Sequence, residues 1–153
     1  MTISTFEQLV QCVYQHLEVR APEALPDDDE PLHGLEFNHH GMEVKLIETD
    51  EGNTPRVLVF CVFGALPAEF ELEGLRKLME INLFLGNEGN TVFGRDAESG
   101  EVNFRFEQQL ARIDLNEFIH SLDQLAAQAA EWRGNFYLND DDEVAEMGAF
   151  QFA

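Results

Sequence analysis

An α+β domain, with a mostly antiparallel sheet and helices packed on it, is the fold class this sequence predicts. Three observations lead there. Amphipathic stretches of helical period stand near residues 5–19, 72–85 and 114–133. Five shorter stretches with strand-like alternation or apolar runs lie between them. The links from strand to strand are short, as hairpins require and parallel crossovers do not allow. The order is α-βββ-α-ββ-α.

The first helix is expected from about Thr5 to Val19. Phe6, Leu9, Val10, Val13, Tyr14 and Leu17 recur at i, i+3 and i+4, which gathers them into one apolar stripe. Ser4, with Glu7 three residues on, fits a capping box. Residues 22–31 carry Asp27, Asp28, Asp29 and Glu30 between two prolines and read as a solvated connector. Three strands follow, Leu35–His39, Met42–Thr49 and Arg56–Phe63, with turns at Gly41 and at Asp50-Glu51-Gly52-Asn53. The third is apolar on both faces, so it belongs at the centre of a doubly covered sheet or at an association surface.

The second helix, about Leu72 to Leu85, carries two apolar stripes. Leu72, Leu75, Met79 and Leu83 form one; Leu78, Ile81 and Leu85 form another roughly 120° away at 100° per residue. A helix on the outside of a monomer needs one stripe, so this helix meets its own sheet and something else. Gly86-Asn87 ends it. A hairpin of Thr91–Arg95 and Glu101–Glu107 turns through Asp96–Gly100. Asp114 as N-cap and Glu117 at the box position then open a third helix with a continuous apolar seam to about Arg133.

The chain has 153 residues, 44% of them hydrophobic and 13 of them Phe, enough for one domain with a sizeable core. Residues 1–134 are expected to form that domain and 135–153 an acidic tail. Thirty acids face nine bases, a formal net charge of -21. Such a surface repels nucleic-acid phosphates and anionic membranes, so neither is an expected partner, although an acidic mimic of nucleic acid survives the charge argument. No stretch approaches the roughly 18 apolar residues of a spanning helix, and the N-terminus lacks the marks of a signal peptide. A cytoplasmic location is expected, with Cys12 and Cys61 as reduced thiols.

No nucleophile elbow, P-loop, dinucleotide fingerprint or HExxH occurs. His39 and His40 are adjacent at a probable strand end, and strand alternation would send their rings to opposite faces, against metal ligation. His16 and His120 lie on amphipathic helices as surface or boundary residues. The chain is read as a binding protein rather than an enzyme, with no cofactor and no metal.

The stretch LMEINLFLGNEGNTVFGRDAESGEV, over residues 78–102, followed by a helix from Asp114, resembles the CesT-like (Tir-chaperone) family of type III secretion chaperones. The resemblance covers residues 4–133 in element order and about 72–133 in sequence. It implies a homodimer, in the bacterial cytoplasm, that binds the non-globular N-terminal segment of a secreted effector and keeps it export-competent. It also implies no catalytic residue and no cofactor. In the family the second helix and following hairpin commonly build the dimer contact, which agrees with the two stripes; the second stripe, Leu78, Ile81 and Leu85, is expected at or near that contact, although the two stripes could exchange roles. The first helix and early strands offer apolar patches to the effector, which points to Tyr14, Phe37, Val44 and Leu46. A YbjN-like regulatory protein-binding module of the same fold, or an acidic nucleic-acid-mimic inhibitor, is the competing reading. The tail departs from the family pattern: residues 135–142 are expected to be a solvated linker, and residues 148–153, with Phe150 and Phe152, either a frayed terminus or a placeholder for client in an apolar groove or at a sheet edge.

Overall fold

The architecture was obtained as a computed structural model and is described for residues 3–17, 34–85 and 91–135. Its elements run α1 (Phe6–His16), β1 (Gly34–His39), β2 (Met42–Glu51), β3 (Thr54–Ala65), α2 (Glu71–Leu85), β4 (Val92–Arg95), β5 (Glu101–Gln109) and α3 (Leu115–Asn135), with one 3-10 turn at Leu110–Arg112. The fold is α+β in the expected order. The acidic connector, the chain just after α2 and the tail with its placeholder segment lie outside the described residues.

Two tight turns fix the register of the first three strands. Between β1 and β2 stand His40 and Gly41; between β2 and β3 stand Gly52 and Asn53. All four have positive φ, from 50° at His40 to 83° at Gly41. This is the two-residue hairpin geometry whose twist matches that of the flanking strands. The Asn38 side-chain oxygen accepts from the Gly41 N–H at 3.0 Å and holds the first turn closed.

The sheet order is β1-β2-β3-β5-β4, with every pair antiparallel. Alternation assigns the two faces. One row crosses all five strands through Phe37, Val44, Cys61, Phe104 and Phe93, and a parallel row contains Leu46, Val59 and Phe106. All of these are buried. On this inner face they share one core with Phe6, Leu9, Val10 and Val13 of α1 and with Phe118, Leu122, Leu125, Ala129 and Trp132 of α3. Phe63 stands between Phe93 and Trp132, with ring centroids 5.4 and 5.9 Å away, both edge-on, an arrangement aromatic quadrupoles favour.

The caps decide where the helices start. Asp114 accepts from the Glu117 N–H at 3.1 Å, as expected. At α1 the box sits one residue later than its sequence suggests. Thr5 is the N-cap, its hydroxyl oxygen accepting from the Gln8 N–H, while the Gln8 side chain accepts from the Ser4 N–H at 2.8 Å. Gln8 thus does the work expected of Glu7.

Candidate functional site

The outer face of the sheet is the opposite of the inner one in how it is finished. Lys45, Phe60, Arg105 and Val92 lie in register across β2, β3, β5 and β4, beside Ile47 and Leu58. Val62, also on this face, is buried yet stands outside the core cluster. Among the described residues, α1, α2 and α3 all contribute to the core that contains the inner face, whereas on the outer face Ile47 is exposed and Leu58, Phe60 and Val92 are only half-buried. A shallow concavity of about 580 Å³ results, lined by Lys45, Ile47, Phe60, Val92, Arg95 and Arg105 among others.

Its chemistry is mixed and unusual for so acidic a chain. Three of the nine cationic side chains line it. Lys45 lies 3.8 Å from Glu43 and 3.9 Å from Glu36, and Arg95 bonds Glu71 of α2 at 3.0 Å. The Arg105 Nε is buried with no hydrogen-bond partner among the described residues, a state that costs free energy until an acceptor arrives. The concavity therefore suits an apolar or aromatic anchor that brings a carbonyl or carboxylate oxygen beside it.

The Asp96–Gly100 turn borders this groove. The Asp96 carboxylate accepts from the backbone N–H of Ser99 at 2.8 Å and of Glu98 at 2.9 Å. Those bonds, Ser99 first, hold its carboxyl below the usual aspartate range. The turn is thus preformed rather than shaped by a ligand.

A second surface lies along α2. Leu78, Ile81 and Leu85 are buried in the chain's own core. Leu72, Met79, Leu83 and Phe84 are 63%, 73%, 80% and 74% exposed. The two stripes exist: Leu78, Ile81 and Leu85, expected at the dimer contact, are the stripe buried within the single chain, and the other stripe is the exposed one. The buried three face inward because Asn82, between them on the helix, ties α2 to β4. Its side chain accepts from the Phe93 N–H at 2.7 Å and donates to the Phe93 carbonyl at 3.0 Å.

The effector residues expected from sequence fare similarly. Phe37, Val44 and Leu46 belong to the inner row and are buried under the helices; reaching them means opening the core. Tyr14 is half-buried at the margin of α1, where burial raises its phenol pKa. These placements have one cause. Alternation separates the two faces of a strand without saying which face the helices cover. The outer face has its signal in the sequence at Leu58, Phe60 and Val62, the second apolar face of β3.

A third feature is the sheet edge at β1. This strand pairs with β2 alone, and no strand among the described residues takes its other side. The opposite edge, β4, is occupied by Asn82.

These surfaces surround a core that family comparison also recognises. A profile of the Tir chaperone protein (CesT) family matches residues 8–133. The chain belongs to this family. No curated protein sequence matches it. Among solved structures, a chain of the crystal structure of the ExsC-ExsE complex aligns with a TM-score of 0.61 at 17% identity. The alignment covers 90% of this chain and 100% of that one. At that identity the likeness shows a shared fold. The family match ends within α3, at residue 133. No helix among the described residues is long and apolar enough to cross a membrane.

Proposed function

We propose that this protein is a type III secretion chaperone that binds the non-globular N-terminal segment of an effector and keeps it export-competent. The observation that carries the reading, beside the family match, is the outer sheet face. It is a concave surface whose apolar side chains Ile47, Phe60 and Val92 stay partly exposed beside a buried unpartnered guanidinium nitrogen. An unfolded leader needs temporary cover for its apolar side chains. Such a groove supplies it for one or two anchors, and the open edge of β1 offers main-chain hydrogen bonds to an extended segment. Ordering a long segment opposes binding, so several such contacts must act together.

The protein acts as a homodimer in the bacterial cytoplasm, with Leu72, Met79, Leu83 and Phe84 of α2 as the contact between copies. It binds neither nucleic acid nor membrane, and it performs no catalysis. Its overall charge turns away strongly acidic clients, while Lys45 and Arg105 accept a single acidic or carbonyl group within the groove.

The test is to isolate the chaperone with its client from the native bacterium and map the bound polypeptide by limited proteolysis. An extended N-terminal client segment of protected residues, lost in a Phe60→Asp chaperone, is the expected result. A folded partner bound without a protected extended segment would favour the regulatory module instead.

A further inference from the structure

His39, His40 and Asp123 form a cluster that chaperoning does not use. His39 closes β1, His40 opens the turn to β2, and Asp123 stands on α3, 84 residues away from His39 in sequence. Adjacent residues of a regular strand point to opposite faces. Here they do not, because His40 adopts the left-handed backbone of the hairpin turn, with φ 50°. The two imidazoles come to lie with ring centroids 4.3 Å apart. A non-glycine residue in this region is uncommon, although His, like Asn and Asp, is among the side chains enriched there.

All three side chains point their donor atoms at one place. His39 Nε2 lies 2.6 Å from Asp123 Oδ1, and His40 Nε2 lies 3.5 Å from the same oxygen. The three donor atoms fall within 4.8 Å of one another. His39 is 7% exposed and fixed by the core, whereas His40 at 70% and Asp123 at 47% have room to adjust. The neighbourhood is also held from the α3 side, where Arg133 donates to the Gly41 carbonyl at 3.1 Å.

We propose that His39, His40 and Asp123 bind a divalent transition-metal ion of the zinc type. Zinc bonds imidazole nitrogen and carboxylate oxygen at about 2.0–2.2 Å, so tetrahedral ligand atoms stand roughly 3.2–3.6 Å apart. The His40–Asp123 separation already meets this. The His39–Asp123 separation must open by less than about 1 Å, which the exposed Asp123 side chain permits. Two nitrogens and one oxygen suit a borderline ion such as Zn2+ rather than Ca2+ or Mg2+, which take oxygen shells. Three protein ligands leave a fourth position to solvent. Bound there, the ion ties the β1–β2 turn to α3, and so braces the open edge strand from one end.

The experiment uses the untagged full-length chain, stripped of metal by chelation and titrated with zinc chloride by calorimetry, with Co2+ as an optical probe. One ion per chain, a higher melting temperature with Zn2+, and the visible absorption of four-coordinate cobalt are expected. His40→Ala, at an exposed turn position, lowers zinc affinity at least about tenfold, as does Asp123→Asn. His120→Ala, an exposed histidine elsewhere on α3, leaves affinity unchanged. Equal affinity in wild type and His40→Ala, or zinc uptake with no change in melting temperature, overturns the proposal and leaves the cluster a hydrogen-bonded pair with a bystander.

Discussion

Asn82 and Phe93 are joined by two hydrogen bonds, the carboxamide of one matching both backbone groups of the other. One side chain thereby does for the outer edge of β4 what a sixth strand would do. It also fixes the rotation of α2, since only one face of the helix can reach the core while Asn82 meets that edge. Replacing it with Ala leaves a part-buried N–H and C=O unpaired, at about 1–3 kcal/mol. Asn82→Ala is therefore expected to lower the denaturant midpoint with an unchanged slope. Asn82→Asp, which keeps an acceptor but loses the donor, should fall between the two.

Groove and core respond differently to the same kind of change. A charge at Ile47 or Phe60, on the outer face, is expected to keep the fold and reduce client affinity at least about tenfold, about 1.4 kcal/mol. The same charge at Val44 or Leu46 unfolds the chain, because both are fully buried. Arg105→Met separates the groove's two contributions: the apolar stem remains and the unpartnered nitrogen goes. Calorimetry with the client's leader peptide should show weaker binding for a leader with an acceptor beside its anchor, and little change for one without.

The limits of sequence reading fall at particular residues. The order of elements along the chain and both tight turns were legible because the apolar run Val57–Phe63 reads as a strand and Gly41, Gly52 and Asn53 tolerate positive φ. The faces were not. Phe37, Val44 and Leu46 alternate cleanly, but alternation is symmetric until helices choose a side. The α2 stripes were ambiguous for a related reason: both are leucine-rich, and the choice rests on Asn82 finding Phe93, a contact between elements. His39 and His40 were misjudged by extending strand geometry one residue into a turn.

The Asp96 turn gives a pH signature. Its carboxyl is held low by the N–H groups of Ser99 and Glu98. A depressed native value means the group favours folding above the unfolded carboxylate pKa of about 3.9, and that this contribution fades as pH falls through the lower native value. In an NMR titration the amide protons of Ser99 and Glu98 should move with one midpoint below 3.9. Asp96→Asn should abolish that transition and keep the turn, since an oxygen acceptor remains. A midpoint at the ordinary value would mean that the turn opens in solution.

Both cysteines are buried, and burial pushes the Cys61 thiol far above its ordinary range. The thiolate is the reactive form, so a native chain should be nearly inert toward thiol reagents at neutral pH. Both thiols should react once denaturant unfolds the domain, in step with the fluorescence change of the single, buried Trp132. Rapid native labelling of Cys61 would show that the central strand is reached by local opening.

The exposed face of α2 leads to the sharpest test of assembly. Leu72, Met79 and Leu83 recur at seven and four residues and stand on the side of the helix away from Leu78 and Ile81. Large apolar side chains grouped like this on an exposed helix mark an association surface. A two-fold contact would set the stripe against its own copy, so each residue counts twice. Leu83→Asp is expected to leave the folding of one chain within about 0.5 kcal/mol of wild type. The same change sets two carboxylates across the contact and should yield a folded monomer by light scattering. Ile81→Asp gives the opposite pattern: an uncompensated charge enters the core, at about 4 kcal/mol or more, and the chain unfolds instead of dissociating. A wild type that stays monomeric at micromolar concentration would refute the contact. If Leu83→Asp remained a dimer, the copies would have to meet through another surface, with the outer sheet face next to be tested.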